Sequence, residues 1–109
     1  MKRGDVVTVA AQGDYGKPRP AVVIQTDRLN DIHGTFLVCP VTSHRLDAPL
    51  IWIEVDATPE NGLRHRSQIM ADRIVTIRRG KIGNKIGAIE LPTMERLTRT
   101  LAMLIGVEG

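Results

Sequence analysis

Lys17-Pro18-Arg19-Pro20-Ala21-Val22-Val23-Ile24-Gln25-Thr26-Asp27 sets an arginine between two prolines and follows it at once with a β-branched run. Each proline fixes its own φ and pushes the preceding residue toward extended backbone, so the chain enters this segment stiff and stretched. Val22, Val23 and Ile24 carry the branched side chains that fit a pleated, buried surface. Residues 19–26 therefore read as a buried strand. A guanidinium held at the mouth of such a strand is a permanently charged fork, suited to gripping phosphate through two parallel hydrogen bonds. Fixed cations matter there because phosphate chemistry depends largely on positioning and electrostatic stabilisation.

Working outward, residues 6–10 read as a first strand, and 11–18, with Gly13 and Gly16, as a mobile loop. Asp, Asn and Gly within 27–34 suggest a turn or a single helical turn. Residues 35–42 form a third strand, in which Pro40 argues for an edge position or a bulge. From Leu50 to Val55 the pattern alternates, with Ile51, Ile53 and Val55 on one face and Trp52 and Glu54 on the other. Thr58-Pro59-Glu60-Asn61-Gly62 is turn chemistry. Residues 67–71 and 73–77 make two more short strands around Asp72. Gly80, Gly83 and Gly87 break the region after them, leaving room for short strands or one helical turn.

The period then changes. Leu91, Met94, Leu97, Leu101, Leu104 and Ile105 fall mostly three and four residues apart, one face of an amphipathic helix that Pro92 opens and Gly106 ends. Five to seven short strands and one terminal helix predict a mainly β fold: a small, strongly bent antiparallel barrel with a C-terminal helix packed on it. No linker or repeat interrupts residues 1–109, which read as one domain.

The totals agree. A chain of 109 residues with 42% apolar side chains supports one core, and with 3% aromatics that core must be aliphatic. Cys39 is the sole cysteine, which excludes internal disulfides and thiolate zinc clusters. No run is apolar enough to span a bilayer, and the start lacks a signal peptide's apolar stretch, so a cytoplasmic setting is expected. Net charge is +3 and pI about 9.5. Only Lys2, Lys17, Lys81 and Lys85 among the 15 basic residues are lysine. That excess of arginine tilts toward a polyanionic partner, although an acidic protein would also suit it.

Three segments together resemble the MazF/PemK (Kid) family of toxin endoribonucleases. They are Arg3-Gly4-Asp5-Val6-Val7, the arginine–proline strand Arg19-Pro20-Ala21-Val22-Val23-Ile24-Gln25-Thr26-Asp27, and Val38-Cys39-Pro40-Val41-Thr42-Ser43. A weaker match runs from Gly62 to Ile77. The resemblance implies a small SH3-like barrel, working as a homodimer, that cuts single-stranded RNA at short sequences without a metal or other cofactor. It also implies a cognate antitoxin whose disordered tail covers the RNA groove. Messenger RNA is the implied substrate, with ribosomal and transfer RNA as further classes.

The chemistry such residues can run is attack of a ribose 2′-OH on the adjacent phosphorus, giving a 2′,3′-cyclic phosphate and a 5′-OH end. The nucleophile is already inside the substrate, so proximity supplies part of the barrier reduction. Arg19 is the first candidate catalytic residue, stabilising transition-state charge; its competing reading is a structural arginine paired with Asp5 or Asp14. Thr42 is a hydroxyl donor to a phosphate oxygen. Asp72 matches an aspartate that acts as general base in some relatives. Those relatives carry an arginine two residues earlier, where this chain has Met70, so the proton acceptor stays open among Asp72, Asp14 and water. His44, two residues beyond Thr42, shares its face if the strand continues and is a candidate general acid. Asp14, Tyr15, Lys17, Ser43, Arg66 and Ser67 are candidate RNA-binding residues, Tyr15 by stacking on a base. Two other readings stay open: a gyrase-binding toxin of the CcdB type, whose Trp-Gly-Ile ending is absent here, and a catalytically silent nucleic-acid-binding barrel.

Overall fold

Val6, Val7 and Val9 of strand β1 (Asp5–Ala10) are all buried, as are Ala21, Val22 and Val23 of β2 (Pro18–Val23). Strands covered on both faces need no alternation, which is why these runs are continuously apolar. The computed structural model describes residues 1–10, 17–47 and 50–107. A helical turn, α1 (Asp27–Asn30), capped by the Thr26 hydroxyl, leads into β3 (Thr35–Thr42). Then come β4 (Trp52–Val55), β5 (Ser67–Met70), β6 (Val75–Arg78), a 3-10 turn over Arg79–Lys81, β7 (Ile82–Ala88) and helix α2 (Leu91–Leu104).

The seven strands form one antiparallel sheet in the order β4-β5-β3-β2-β1-β7, with β6 also pairing β3. The long β3 pairs β6 through its first half and β5 through its last two residues, so the sheet bends along it. The expected barrel is thus strongly curved, but its hydrogen-bonded path does not close; β4 and β7 remain edges. The bend makes two apolar clusters. Val7, Val9, Ala21, Val23, Phe36 and Val38 fill the inside of the curl. Val6, Val22, Cys39, Val41, Ile53, Ile69 and Ala71 lie on the other face, under Met94 and Leu97 of α2.

Two expectations change. The glycine-rich stretch after β6 holds the expected helical turn around Gly80, but Gly83 and Gly87 lie within a seven-residue strand rather than breaking it. A Cβ on Gly87 would overlap the Asn61 backbone and the Glu60 carbonyl, so glycine there admits the 58–62 turn against β7. Gly62 closes that turn at φ +72° with its Cα against the Ile86 carbonyl, a conformation that glycine alone adopts cheaply. The predicted helix face is also only half covered. Met94 and Leu97 are buried, whereas Leu91 and Ile105 are 70% and 71% exposed. No helix among the described residues is long and apolar enough to cross a membrane.

Candidate nucleic-acid interface

Ladder register decides which side chains meet. Strands β2 and β3 pair Ala21 with Pro40, Val22 with Cys39 and Val23 with Val38. Continued by two residues, that register sets Arg19 across from Thr42. Arg19 is itself the β1 partner of Val9, and directly opposed residues share a face of the sheet. Arg19 and Thr42 therefore stand on the face of the inner cluster, beyond its last apolar residues, where Arg19 is exposed and Thr42 half-buried. Lys17, also exposed, precedes them by one strand repeat.

The Thr42 hydroxyl is already oriented. Its oxygen accepts the His44 N–H at 3.0 Å, which occupies a lone pair and leaves the hydroxyl proton to donate outward. That bond also shows why His44 does not simply continue the strand. β3 stops at Thr42 and the chain bends through Ser43 and His44, so alternation no longer assigns His44 a face. Both residues are exposed.

Asp72 lies elsewhere on β5's path. Thr42 pairs with Gln68, and Asp72 comes four residues later, in the turn that follows the end of β5 at Met70. The Asp72 carboxylate accepts the Trp52 indole N–H at 2.8 Å, and the Arg73 guanidinium covers the Trp52 ring 5.1 Å from its centre. Trp52, only 7% exposed, is the hub of this cluster. The register thus sets Arg19 and Thr42 together at one end of β2 and β3, with Lys17 just before β2, while Asp72 lies in the turn beyond β5. Asp5, the alternative partner for Arg19, sits at the far end of β1 with Lys85 Nζ at 3.3 Å and the Lys2 N–H at 2.9 Å on its carboxylate.

The other RNA-binding expectations divide. Ser67 is instead buried, 4% exposed, and donates to the His65 carbonyl at 2.8 Å, because its strand position faces the Val55 and Val41 side of the sheet. Arg66 is exposed, with its guanidinium on Glu54 at 3.2 Å and Asp56 at 3.4 Å. Asp14 and Tyr15 lie outside the described residues.

Gln68 does not stand out in the sequence. It occupies a short strand between Ser67 and Ile69, and only its partners distinguish it from a surface glutamine. Its pairing with Thr42 on one side and Glu54 on the other sets three polar side chains in a row across β3, β5 and β4. The signal available was a polar residue inside an apolar-flanked strand, which must find hydrogen bonds if buried.

Comparison with known proteins gives this surface a context. The family model for the PemK-like, MazF-like toxin of type II toxin-antitoxin systems matches residues 2–105. A protein of Mycolicibacterium smegmatis named probable endoribonuclease MazF is 39% identical over 110 residues, covering 100% of both chains. Endoribonuclease EndoA of Bacillus subtilis is 28% identical over 112 residues, covering 98% of this chain and 96% of its own. Among solved structures, a mycobacterial endoribonuclease in complex with its cognate antitoxin superposes with a TM-score of 0.82 over 100% of this chain and 98% of that one; at 22% identity this speaks for the fold. Arg19 and Thr42 thus meet within a sequence that matches one family model nearly end to end, and the chain belongs to the PemK-like, MazF-like toxin family of type II toxin-antitoxin systems.

Proposed function

We propose that this chain is the toxin of a type II toxin-antitoxin pair and cuts single-stranded RNA at short sequences by internal transesterification. At the coarse level it is a MazF-type toxin endoribonuclease, as its family membership and named relatives support. The observation that carries the finer reading is the β2–β3 register, which, continued by two residues, sets the exposed Arg19 across from the half-buried Thr42.

In this reading the scissile phosphate sits between the Arg19 guanidinium and the Thr42 hydroxyl, both donating to its non-bridging oxygens. The ribose 2′-oxygen forms a bond to phosphorus, and the bond from phosphorus to the 5′-oxygen breaks. The 2′-OH proton leaves to Asp72 or water, and the 5′-oxygen takes a proton from His44 or water. Charge builds on the phosphoryl oxygens in the transition state, where a fixed guanidinium stabilises more than it does in the ground state. The place of Asp72 in the turn beyond β5, with its carboxylate on the Trp52 indole, favours water over Asp72 as the acceptor. The reaction needs no metal in this scheme. Lys17, Ser43 and Arg66 extend the RNA-facing surface. A cognate antitoxin is the proposed protein partner, in line with the complex formed by the mycobacterial structural neighbour.

Incubation of the purified chain with a defined single-stranded RNA in EDTA tests the reading. Cleavage with 2′,3′-cyclic phosphate and 5′-OH ends is expected, and a 2′-deoxy substitution at the cut site blocks it. Cutting of the deoxy substrate overturns the nucleophile; tight RNA binding with no products supports the silent barrel that Met70 keeps open.

A further inference from the structure

We propose that Gln68 is a positioning residue: its side-chain amide clamps segment 43–47 beside Thr42 and thereby sets which bases are accepted next to the cut. The proposal rests on the endoribonuclease reading and deepens it.

Gln68 is only 2% exposed, and its amide is fully used. Its Oε1 accepts the Leu46 N–H at 2.7 Å while its Nε2 donates to the Leu46 carbonyl at 2.6 Å. A primary amide has the same donor and acceptor as a peptide unit, so this is a two-bond pairing of the kind strands make, supplied by a side chain. The second Nε2 hydrogen goes to Glu54 Oε1 at 3.2 Å. The other Glu54 oxygen takes Arg45 at 3.4 Å and Arg66 at 3.2 Å. Besides the His44 N–H on the Thr42 hydroxyl, segment 43–47 is therefore held at Leu46 through its backbone and at Arg45 through its side chain, and all these holds run through the row of Thr42, Gln68 and Glu54.

Apolar burial does not hold this segment. Leu46 is 54% exposed and Leu50, just beyond it, 73%. The clamp is polar, and losing it leaves two backbone groups of Leu46 without their protein partner. What the clamp fixes is the stretch that displays Ser43 and His44, the first side chains past Thr42 and both exposed. A hydroxyl and an imidazole there can read base edges of the nucleotide beside the gripped phosphate. Discrimination requires those groups in one geometry. A loose segment accommodates several bases and loses ordering entropy on binding each. Gln68 touches neither Arg19 nor the reacting atoms, so it acts through the segment.

The experiment compares wild type with Gln68→Met, which keeps the volume and loses both amide functions. Leu46→Pro is the second variant; it removes the clamped N–H from the exposed side and leaves the core untouched. Cut-site preference is read as kcat/KM on the best RNA site against its single-base variants, alongside Leu46 amide exchange and thermal melting. Both variants are expected to fold and to keep kcat on the best site within about threefold, while preference falls at least about tenfold, the worth of one good base contact. Leu46 exchange accelerates in Gln68→Met. Preference within twofold of wild type in the folded variants overturns the clamp, as does an equal loss of kcat on every sequence. Should Gln68→Met fail to fold, the cut-site preference of Leu46→Pro decides between these outcomes. Wild type cutting no RNA overturns the endoribonuclease reading, and this inference with it.

Discussion

Arg19 is exposed, so its removal takes little from the core, yet in the proposed reaction it is the one fixed cation on the scissile phosphate. Arg19→Ala is expected to lower kcat by a hundredfold or more, about 2.7–4 kcal/mol in a barrier, with melting unchanged. Arg19→Lys recovers only part of this, because an ammonium cannot offer the planar fork. Asp72→Asn, read by the same single-turnover cleavage, is expected to stay within about tenfold of wild type, since Asp72 lies in the turn beyond β5 with its carboxylate on the Trp52 indole. A hundredfold loss there returns the base role to Asp72. Cys39 tells of the interior instead. Burial, and then the negative charge of Asp72, push its thiol from 9.0 to about 12. The fold therefore favours the protonated thiol. That contribution is complete below the ordinary thiol value and is lost as pH climbs toward 12, so urea midpoints are expected to fall from about pH 9 upward. Cys39→Ser flattens that limb, and native Cys39 does not react with a thiol reagent at neutral pH.

At the scale of elements, β7 depends on close backbone approach. Its register with β1 shifts twice, between Val6 and Val7 and again before Val9, and the 58–62 turn packs directly on its C-terminal half. The Ala88 N–H donates to the Glu60 carbonyl at 2.8 Å, so turn and strand are also hydrogen-bonded. Gly87→Ala places a methyl group where the Asn61 backbone stands, and it is expected to destabilise the protein by about 1–3 kcal/mol in urea unfolding. Gly80→Ala is its control, for nothing lies within 4 Å of a Cβ there. Helix α2 covers the outer cluster with Met94 and Leu97, and its C-terminal turn leaves Met103, Leu104 and Ile105 exposed at 48%, 37% and 71%.

For the whole molecule, that exposed helix end is where the proposed homodimer is tested. Exposed apolar side chains gathered at one helix end, rather than scattered singly, mark a contact surface. Ile105→Asp is expected to shift sedimentation equilibrium from dimer toward monomer without lowering helix content. An unchanged dimer moves the interface elsewhere. The bent sheet has a further consequence for the site. Because β3 pairs β2 and β6 in the curl and β5 beyond it, one strand carries the inner core at Phe36 and Val38 and the proposed phosphate grip at Thr42. The grip is thus mounted on a rigid element, while the segment that follows is held by the Thr42 hydroxyl, the Gln68 amide and the Arg45–Glu54 ion pair.

From the residue pattern alone the chain can be read as short strands closed by a helix, because β-branched runs and three-and-four spacing are local properties of the chain. Residues 35–42 match the observed β3 end to end, and Pro92 in the first turn of α2 and Gly106 just past its end sit as their backbone preferences dictate. Arg19 and Thr42 are legible as single candidates. Their meeting is not, since it depends on strand register, which long-range pairing sets. The same holds for Ser67, whose burial follows from the face it shares with Val55, and for Gln68, whose partners Leu46 and Glu54 are distant in sequence by 22 and 14 residues. The glycines of β7 look like breaks because a missing side chain signals flexibility locally; the neighbouring backbone that fills the space beside Gly87 exists only in the folded sheet. Local chemistry determined the elements and the reactive groups, and only the bent sheet decided which of those groups stand together.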